Sequence, residues 1–202
     1  MENFVITFAR GFGTGGKAIA SQLAKELGIH CYENRILTLA SQLSGLDENI
    51  FQEVNEKMRE TSGFSSFLRG LPRSRRYISR NEKFVSDDKL FEYQSEIIKD
   101  LAEKESCVIV GRCADFILQD RTDCLKVFVH ADLKFRADRI VRVYGEREKS
   151  PEARLKEKDK RRAAYYRFYT DMKWGDAANY HIALDSGVIG IEKSAEIIES
   201  LA

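Results

Sequence analysis

The sequence predicts an α/β fold in which a parallel central sheet lies between two layers of helices. Apolar runs typical of buried strands alternate with helical patterns along most of the chain, as in parallel sheets with helical crossovers. A glycine-rich loop joins the first strand to the first helix. The 202 residues are enough for one sizeable core with an inserted flap and too few for two independent domains. We therefore expect one domain over residues 1–202.

The glycine-rich loop lies between the apolar run Phe4–Phe8 and a helical pattern that begins near Lys17. Its residues Gly11, Gly16 and Lys17 fit the pattern G-x-x-x-x-G-K-[ST]. In that pattern backbone amides surround phosphate oxygens and the lysine neutralises the outer phosphates. The positive end of the following helix adds to the attraction. The sequence therefore predicts a phosphate-binding loop and a three-layer sandwich of the P-loop NTPase type.

One position of the loop departs from this pattern. Ala18 stands where a serine or threonine hydroxyl normally contacts magnesium. Thr14 and Ser21 are two candidate replacements, and neither stands at the expected position. The sequence therefore predicts a phosphate site that lacks one magnesium ligand from the protein.

The first helix and the second strand follow the loop. Apolar residues at helical spacing predict a helix over residues 17–27, which a glycine ends. The short strand Ile29–Tyr32 comes next, and Glu33, Asn34 and Arg35 follow it. Because ligands bind at the carboxyl edge of open parallel sheets, these three residues are candidate substrate contacts.

Residues 36–89 begin with a predicted helical region, in which one helix covers 36–43 and another, capped by Asp47, runs to about Arg59. Five arginines then follow between Arg69 and Arg80. This cluster suits a solvated or partner-facing surface, capture of an anionic substrate, or contact with RNA. The sequence leaves open whether residues 61–89 form an acceptor-binding flap, a dimer contact or a mobile stretch.

The second half of the chain returns to regular alternation. A helix over residues 89–104 leads into the apolar strand that begins at Cys107 and ends in Gly111-Arg112. If this strand neighbours the first one, Arg112 lies beside the phosphate loop and suits a bidentate phosphate contact. The alternative is that Arg112 caps the next helix. Further elements are predicted over residues 114–118, 124–129, 133–144, 180–185 and 191–201.

Residues 145–175 are densely charged and include a basic stretch from Arg154 to Arg167. A solvated helix with internal ion pairs is one interpretation. The other is a mobile helical lid that excludes water and brings arginines onto a transferring phosphoryl group.

Composition excludes several classes of protein. The net charge of +1 gives no overall field that would attract nucleic acid or a membrane surface. The four cysteines form no C-x-x-C pair, so no structural zinc site is expected. No apolar run is long enough to span a bilayer, and nothing directs export, so a cytoplasmic location is expected. The sequence is compatible with a homodimer.

Several motifs together resemble the cytidylate kinase-like family of P-loop nucleoside monophosphate kinases. They are the phosphate loop, Gly111-Arg112, the helix with Arg136 and Arg139, Asp159-Lys160-Arg161-Arg162-Ala163, and Leu184-Asp185-Ser186. The resemblance covers nearly the whole chain. It is closest to a divergent branch whose loop reads G-x-G-x-G-G-[KR] and lacks the usual hydroxyl.

The resemblance implies a fold with a helical acceptor-binding insert and a helical lid, and it implies ATP and Mg²⁺ as cofactors. It places the ATP phosphates on the loop, with Lys17 at the outer phosphates. Arg112 would lie near the acceptor phosphate, while Arg161 or Arg162 with Asp159 would close from the lid. Catalytic roles therefore fall on Lys17, Arg112, Arg161 and Arg162. The loop residues implied are Gly11, Gly13, Thr14, Gly15, Gly16, Lys17 and Ala18.

Four positions depart from the cytidylate kinase pattern, all on the acceptor side: Asn34, Leu39, Cys113 and Leu155. The resemblance therefore supports ATP better than CMP. Our first hypothesis is a kinase that phosphorylates a small phosphorylated acceptor, such as the nucleoside monophosphates CMP and dCMP, with Glu33, Asn34, Arg35, Arg112, Asp159 and Arg162 at the substrate. The alternative is a nucleotide-binding regulatory or scaffold protein that has lost kinase activity.

Overall fold

The computed structural model describes residues 3–57, 76–78 and 84–202. Five of its strands form one parallel sheet in the order β2-β5-β1-β6-β7, and β3 pairs with β4 in a two-stranded antiparallel sheet. The strands are β1 (Val5–Arg10), β2 (His30–Tyr32), β3 (Arg76–Ile78), β4 (Phe84–Ser86), β5 (Cys107–Val110), β6 (Cys124–His130) and β7 (Ile182–Asp185).

Nine α-helices occur in the described part of the chain. They are α1 (Gly16–Glu26), α2 (Arg35–Ser44), α3 (Glu48–Lys57), α4 (Asp87–Lys104), α5 (Ala114–Ile117), α6 (Leu133–Tyr144), α7 (Pro151–Thr170), α8 (Ser186–Ile189) and α9 (Ile191–Glu199). A short 3₁₀ helix, Ala177–Asn179, precedes β7. Except for β3, the arginine cluster predicted between Arg69 and Arg80 lies outside the described residues. None of the helices in the described ranges is long and apolar enough to cross a membrane.

The central strand β1 is buried on both faces, which explains its continuous apolar sequence. On one face, Ile6 and Phe8 pack in a cluster with residues of α1 and α9. On the other face, Val5 and Ile109 pack in a cluster with residues of α2 and α4. The predicted three-layer α/β sandwich with a parallel central sheet is therefore confirmed.

The register of the sheet brings the candidate site together. β1 pairs in parallel with β5, and Phe8 lies opposite Val110. The loop that follows β1 and the Gly111-Arg112 turn that follows β5 therefore emerge side by side at the carboxyl edge. β2 pairs with the other side of β5, so Glu33 emerges at the same edge. The hypothesis that Arg112 lies beside the phosphate loop requires that β1 and β5 be neighbours, and they are.

The charged segment predicted over residues 145–175 contains one continuous helix, α7. Ser150 caps its N-terminus by accepting a hydrogen bond from the Ala153 amide, and a proline opens its first turn. Three side chains anchor it to the rest of the protein, because Leu155, Tyr165 and Tyr166 are all buried. The helix is therefore packed against the domain along part of its length, with charged residues on its remaining surface.

Candidate phosphate loop and adjoining cavity

The loop between β1 and α1 has a shape that its glycines make accessible. Gly13 and Gly15 have φ angles of +83° and +85°, in the left-handed region that favours glycine. A Cβ on Gly13 would lie 2.9 Å from the Arg136 carbonyl oxygen, and one on Gly16 would lie 2.7 Å from the Arg10 Cβ. Neighbouring atoms therefore press closely on the loop, and side chains at these positions would disrupt the cradle.

Thr14 stabilises the loop from inside. Its side chain is fully buried, and its hydroxyl donates to the Gly11 carbonyl at 3.0 Å and accepts from the Gly16 amide at 3.2 Å. The Ser186 hydroxyl, at the start of α8, lies 2.7 Å from the Thr14 carbonyl oxygen. Because the Thr14 hydroxyl is used within the loop, it does not replace the hydroxyl that Ala18 lacks.

The fit of the loop to a phosphate group rests on its backbone. The first amides of a helix have no intrahelical partners; Thr14 covers that of Gly16, whereas the N-cap of α1, Gly15, has no side chain to cover those that follow. Arg139 borders the loop, since its Nε would lie 3.2 Å from a Cβ on Gly15. The loop therefore suits the phosphates of a nucleotide. Among the described residues, no group of three or more His, Cys, Asp or Glu side chains suits a metal ion.

Lys17 forms an ion pair with the carboxylate that follows β2. Its Nζ lies 2.5 Å from Glu33 Oε2, while Arg10 Nη2 lies 3.0 Å from Glu33 Oε1. Burial disfavours the charged form of Glu33, but the hydrogen bond from Lys17 and the charge of Arg10 outweigh it and lower the pKa of this carboxyl. The hydrogen bond and the charge of Glu33 raise the pKa of Lys17 in turn. Glu33 is therefore ionised between two cations.

Arg10 is a site residue that the sequence analysis missed. It ends β1 directly before the loop, and its side chain is only 16% exposed. A Cβ on Gly111 would lie 2.3 Å from Arg10 Nη1, so the guanidinium lies against the end of β5. A signal was present in the sequence, because an arginine that ends an otherwise apolar central strand must find a polar partner.

The turn after β5 is strained. Gly111, Arg112 and Cys113 have φ angles of +80°, +62° and +55°, so three successive residues are left-handed and two of them are not glycine. Each such residue costs on the order of 1–2 kcal/mol. The N-cap of the short helix α5 is Cys113, without a side-chain cap, so the structure does not support the alternative that Arg112 caps it. Arg112 lines a cavity instead.

The helix α7 contacts the phosphate loop through Asp159. Its Oδ1 accepts a hydrogen bond from the Phe12 amide at 2.7 Å, and its Oδ2 pairs with Arg136 Nη1 at 2.6 Å. One turn further, Arg162 donates to the Arg10 carbonyl at 2.7 Å and lies over the Phe12 ring. The predicted lid segment therefore contacts the loop directly.

A cavity of about 410 Å³ opens at the carboxyl edge beside the loop. Of the residues predicted from sequence, it is lined by Glu33, Asn34, Arg112, Arg161 and Arg162. Arg35 lies over the Tyr32 ring instead, and Asp159 is engaged by the loop. Lining residues that sequence reasoning missed include Arg10, Lys158, Tyr165, Tyr166 and Trp174.

The structure shows the surroundings of three of the four residues that depart from the cytidylate kinase pattern on the acceptor side. Leu155 is fully buried and packs with Ala137 and Ile140, so it fastens α7 to α6. Leu39 packs at the edge of the core cluster beneath α2 and α4. Cys113 is 4% exposed and lines the cavity, and burial raises the pKa of its thiol well above the ordinary value. The first two positions thus contribute packing.

Comparison with known proteins agrees with this architecture. The sequence profile of the cytidylate kinase-like family matches residues 5–188, and the chain belongs to that family. An uncharacterized protein from Eubacterium ventriosum ATCC 27560 has a similar structure, with 25% identity, a TM-score of 0.68 and 98% of each chain covered. No curated protein matches the chain significantly.

A solved shikimate kinase from Bacteroides thetaiotaomicron shares the fold. Its TM-score is 0.50 at 13% identity, with 98% of this chain and 97% of that chain covered. The resemblance to a kinase-like family is thus confirmed over most of the sequence, and family membership supports phosphoryl transfer as the class of chemistry.

Proposed function

We propose that this protein transfers a phosphoryl group from ATP to a small phosphorylated acceptor, with nucleoside monophosphates such as CMP and dCMP as the first candidates. The observation that carries the proposal is the arginine-lined cavity directly beside the phosphate loop. Donor and acceptor phosphates must approach each other for in-line transfer, and this edge of the sheet offers two adjoining anion sites.

The charge of the cavity supports an anionic occupant. Four arginines and Lys158 line it, whereas its acidic residues are Glu33 and Asp115. Burial, together with the charge of Arg10, lowers the pKa of Arg162 to about 9. Cations held this close in a partly buried site destabilise one another, and a bound anion relieves that cost. The cavity volume also suits a small molecule.

The proposed roles follow from position. The loop amides and Lys17 hold the donor phosphates, while Arg112 and Arg162 hold the acceptor phosphate and stabilise charge on the transferring group. When bound, ATP supplies the phosphoryl group and Mg²⁺ offsets its charge. Asp159 positions Arg162 by joining α7 to the Phe12 amide. Tyr165 and Tyr166 form an aromatic wall for the rest of the acceptor.

A second candidate function is nucleotide binding without transfer. Ala18 lacks the usual hydroxyl, and one of the two candidate replacements, the hydroxyl of Thr14, is used inside the loop. A regulatory or scaffold protein would need the loop and could lose the magnesium ligand. This candidate predicts ATP binding that depends on Lys17, with no product from any acceptor.

The test is a turnover panel with ATP and Mg²⁺ against CMP, dCMP, UMP, AMP and GMP. Lys17→Ala should lower kcat/KM for the active acceptor by about two to four orders of magnitude, because the lysine acts on transition-state charge. Lys25→Ala, at the exposed C-terminal end of the same helix, is the matched control and should retain wild-type turnover. Undiminished turnover by Lys17→Ala would refute the proposal.

A further inference from the structure

Glu33 is shared between two cations of different mobility. One carboxylate oxygen faces Lys17 and the other faces Arg10, at 2.5 Å and 3.0 Å. The Lys17 side chain is 62% exposed, whereas those of Arg10 and Glu33 are only 16% and 19% exposed. The lysine can therefore reorient in solvent at little cost, while the arginine and the carboxylate are held by their surroundings.

Lys17 has a second anionic partner in the proposed function. The phosphate loop uses its lysine on the outer phosphates of the donor, and the same ammonium here neutralises Glu33. A carboxylate and a phosphate thus compete for one cation. If Lys17 turned away with no replacement, Glu33 would become a largely buried, uncompensated negative charge beside an incoming polyanion, which is unfavourable.

Arg10 is placed to prevent this. Its guanidinium already contacts Glu33, and the Gly111 backbone crowds its other side. Its own carbonyl is held by Arg162, which further fixes this end of β1. Arg10 therefore stays on Glu33 when Lys17 leaves.

We propose that Glu33 is an exchangeable partner of Lys17 that competes with donor phosphates, and that Arg10 is a positioning residue that neutralises Glu33 once Lys17 turns to the donor. This inference rests on the proposed function, since it assumes a nucleotide on the loop. It predicts opposite effects of the two residues: Glu33 weakens donor binding, and Arg10 strengthens it by acting on Glu33.

The experiment measures the Kd of the non-hydrolysable analogue AMP-PNP by calorimetry at low ionic strength. Glu33→Gln should tighten binding about fivefold, the value of a solvent-accessible ion pair of ~1 kcal/mol. Arg10→Met should weaken binding by about fivefold or more. The double variant Arg10→Met/Glu33→Gln should bind as tightly as Glu33→Gln, about fivefold tighter than wild type, because Arg10 acts only through Glu33. Glu105→Gln is the matched control, because Glu105 pairs with His30 and Tyr32 instead.

The double variant separates this inference from simpler ones. If Arg10 bound the nucleotide directly, or only supported the fold, the two effects would add, and the double variant would bind more weakly than Glu33→Gln, near wild-type affinity. Unchanged or weaker binding by Glu33→Gln also overturns the inference.

If Arg10→Met does not fold, Arg10→Lys keeps the charge and should bind AMP-PNP within about twofold of wild type. A larger loss in the folded variant contradicts the inference. A wild-type protein that binds no AMP-PNP overturns both the proposed function and this inference. Lys17-dependent wild-type binding without the opposite shifts overturns this inference alone.

Discussion

The ion pair between Asp159 and Arg136 should contribute strongly to the free energy of unfolding. Asp159→Asn keeps an oxygen for the Phe12 amide but removes the charge opposite Arg136, 2.6 Å away. The two side chains are 20% and 15% exposed, so the guanidinium would lose its partner in a largely buried setting. Breaking a fully buried pair costs about 3–5 kcal/mol, and we discount this for partial exposure to about 2 kcal/mol.

A loss of about 2 kcal/mol corresponds to a fall in Tm of roughly 4–8 °C for a chain of this length. Urea denaturation gives the free energy of unfolding directly, and a thermal melt gives the Tm. The matched control is Asp100→Asn, because Asp100 pairs with Lys104 at a similar distance of 2.7 Å but is 46% exposed. We expect the control to change the free energy of unfolding by about 0.5 kcal/mol or less.

The comparison of the two variants decides the outcome. If Asp159→Asn destabilised the protein no more than Asp100→Asn, burial would not govern the value of these ion pairs. The contact between α7 and the phosphate loop would then contribute only as much as an ordinary surface pair. A loss confined to Asp159→Asn would show that α7 is fastened to the loop through this carboxylate.

Two further predictions concern the strained turn and the thiols. Gly28, which follows α1, serves as the comparison for Gly111 in the strained turn. Gly28→Ala should lower the free energy of unfolding, measured by urea denaturation, by about 1 kcal/mol, because its φ is +67° and, among the described residues, nothing lies within 4 Å of the new Cβ. Gly111→Ala should lower the free energy of unfolding by about 2–3 kcal/mol, because its φ of +80° is combined with a contact at 2.3 Å from Arg10 Nη1. Equal losses in Gly28→Ala and Gly111→Ala would contradict this expectation. At pH 8, iodoacetamide should label Cys31 first, since it is half-buried while the other three thiols are buried. Burial raises the pKa values of Cys107 and Cys124 to about 12 and about 11, so these thiols should react slowly. Peptide mass spectrometry measures the labelling of each cysteine. If Cys113 were labelled as fast as Cys31, the turn after β5 would have to open in solution.

The fold was predictable because its signals are local. Parallel strands covered on both faces need continuous apolar sequence, as in Cys107–Val110, and the amphipathic helices between them show their buried faces by spacing alone. The phosphate loop was predictable for the same reason, since the glycines that allow its shape are adjacent in sequence. These features depend on backbone chemistry within a few residues, and the sequence carries that information directly.

The arrangement of the site depended on contacts between distant parts of the chain. Phe12 and Asp159 are separated by 147 residues, and Arg162 reaches Arg10 across 152 residues. Their meeting follows from how α7 packs on the domain, which helical spacing does not specify. The sequence by itself determined the sheet, the loop and the class of chemistry. Only the tertiary structure decided that Arg10 enters the cavity, that Arg35 stays out of it and that Glu33 lies between two cations, because these positions are set by packing.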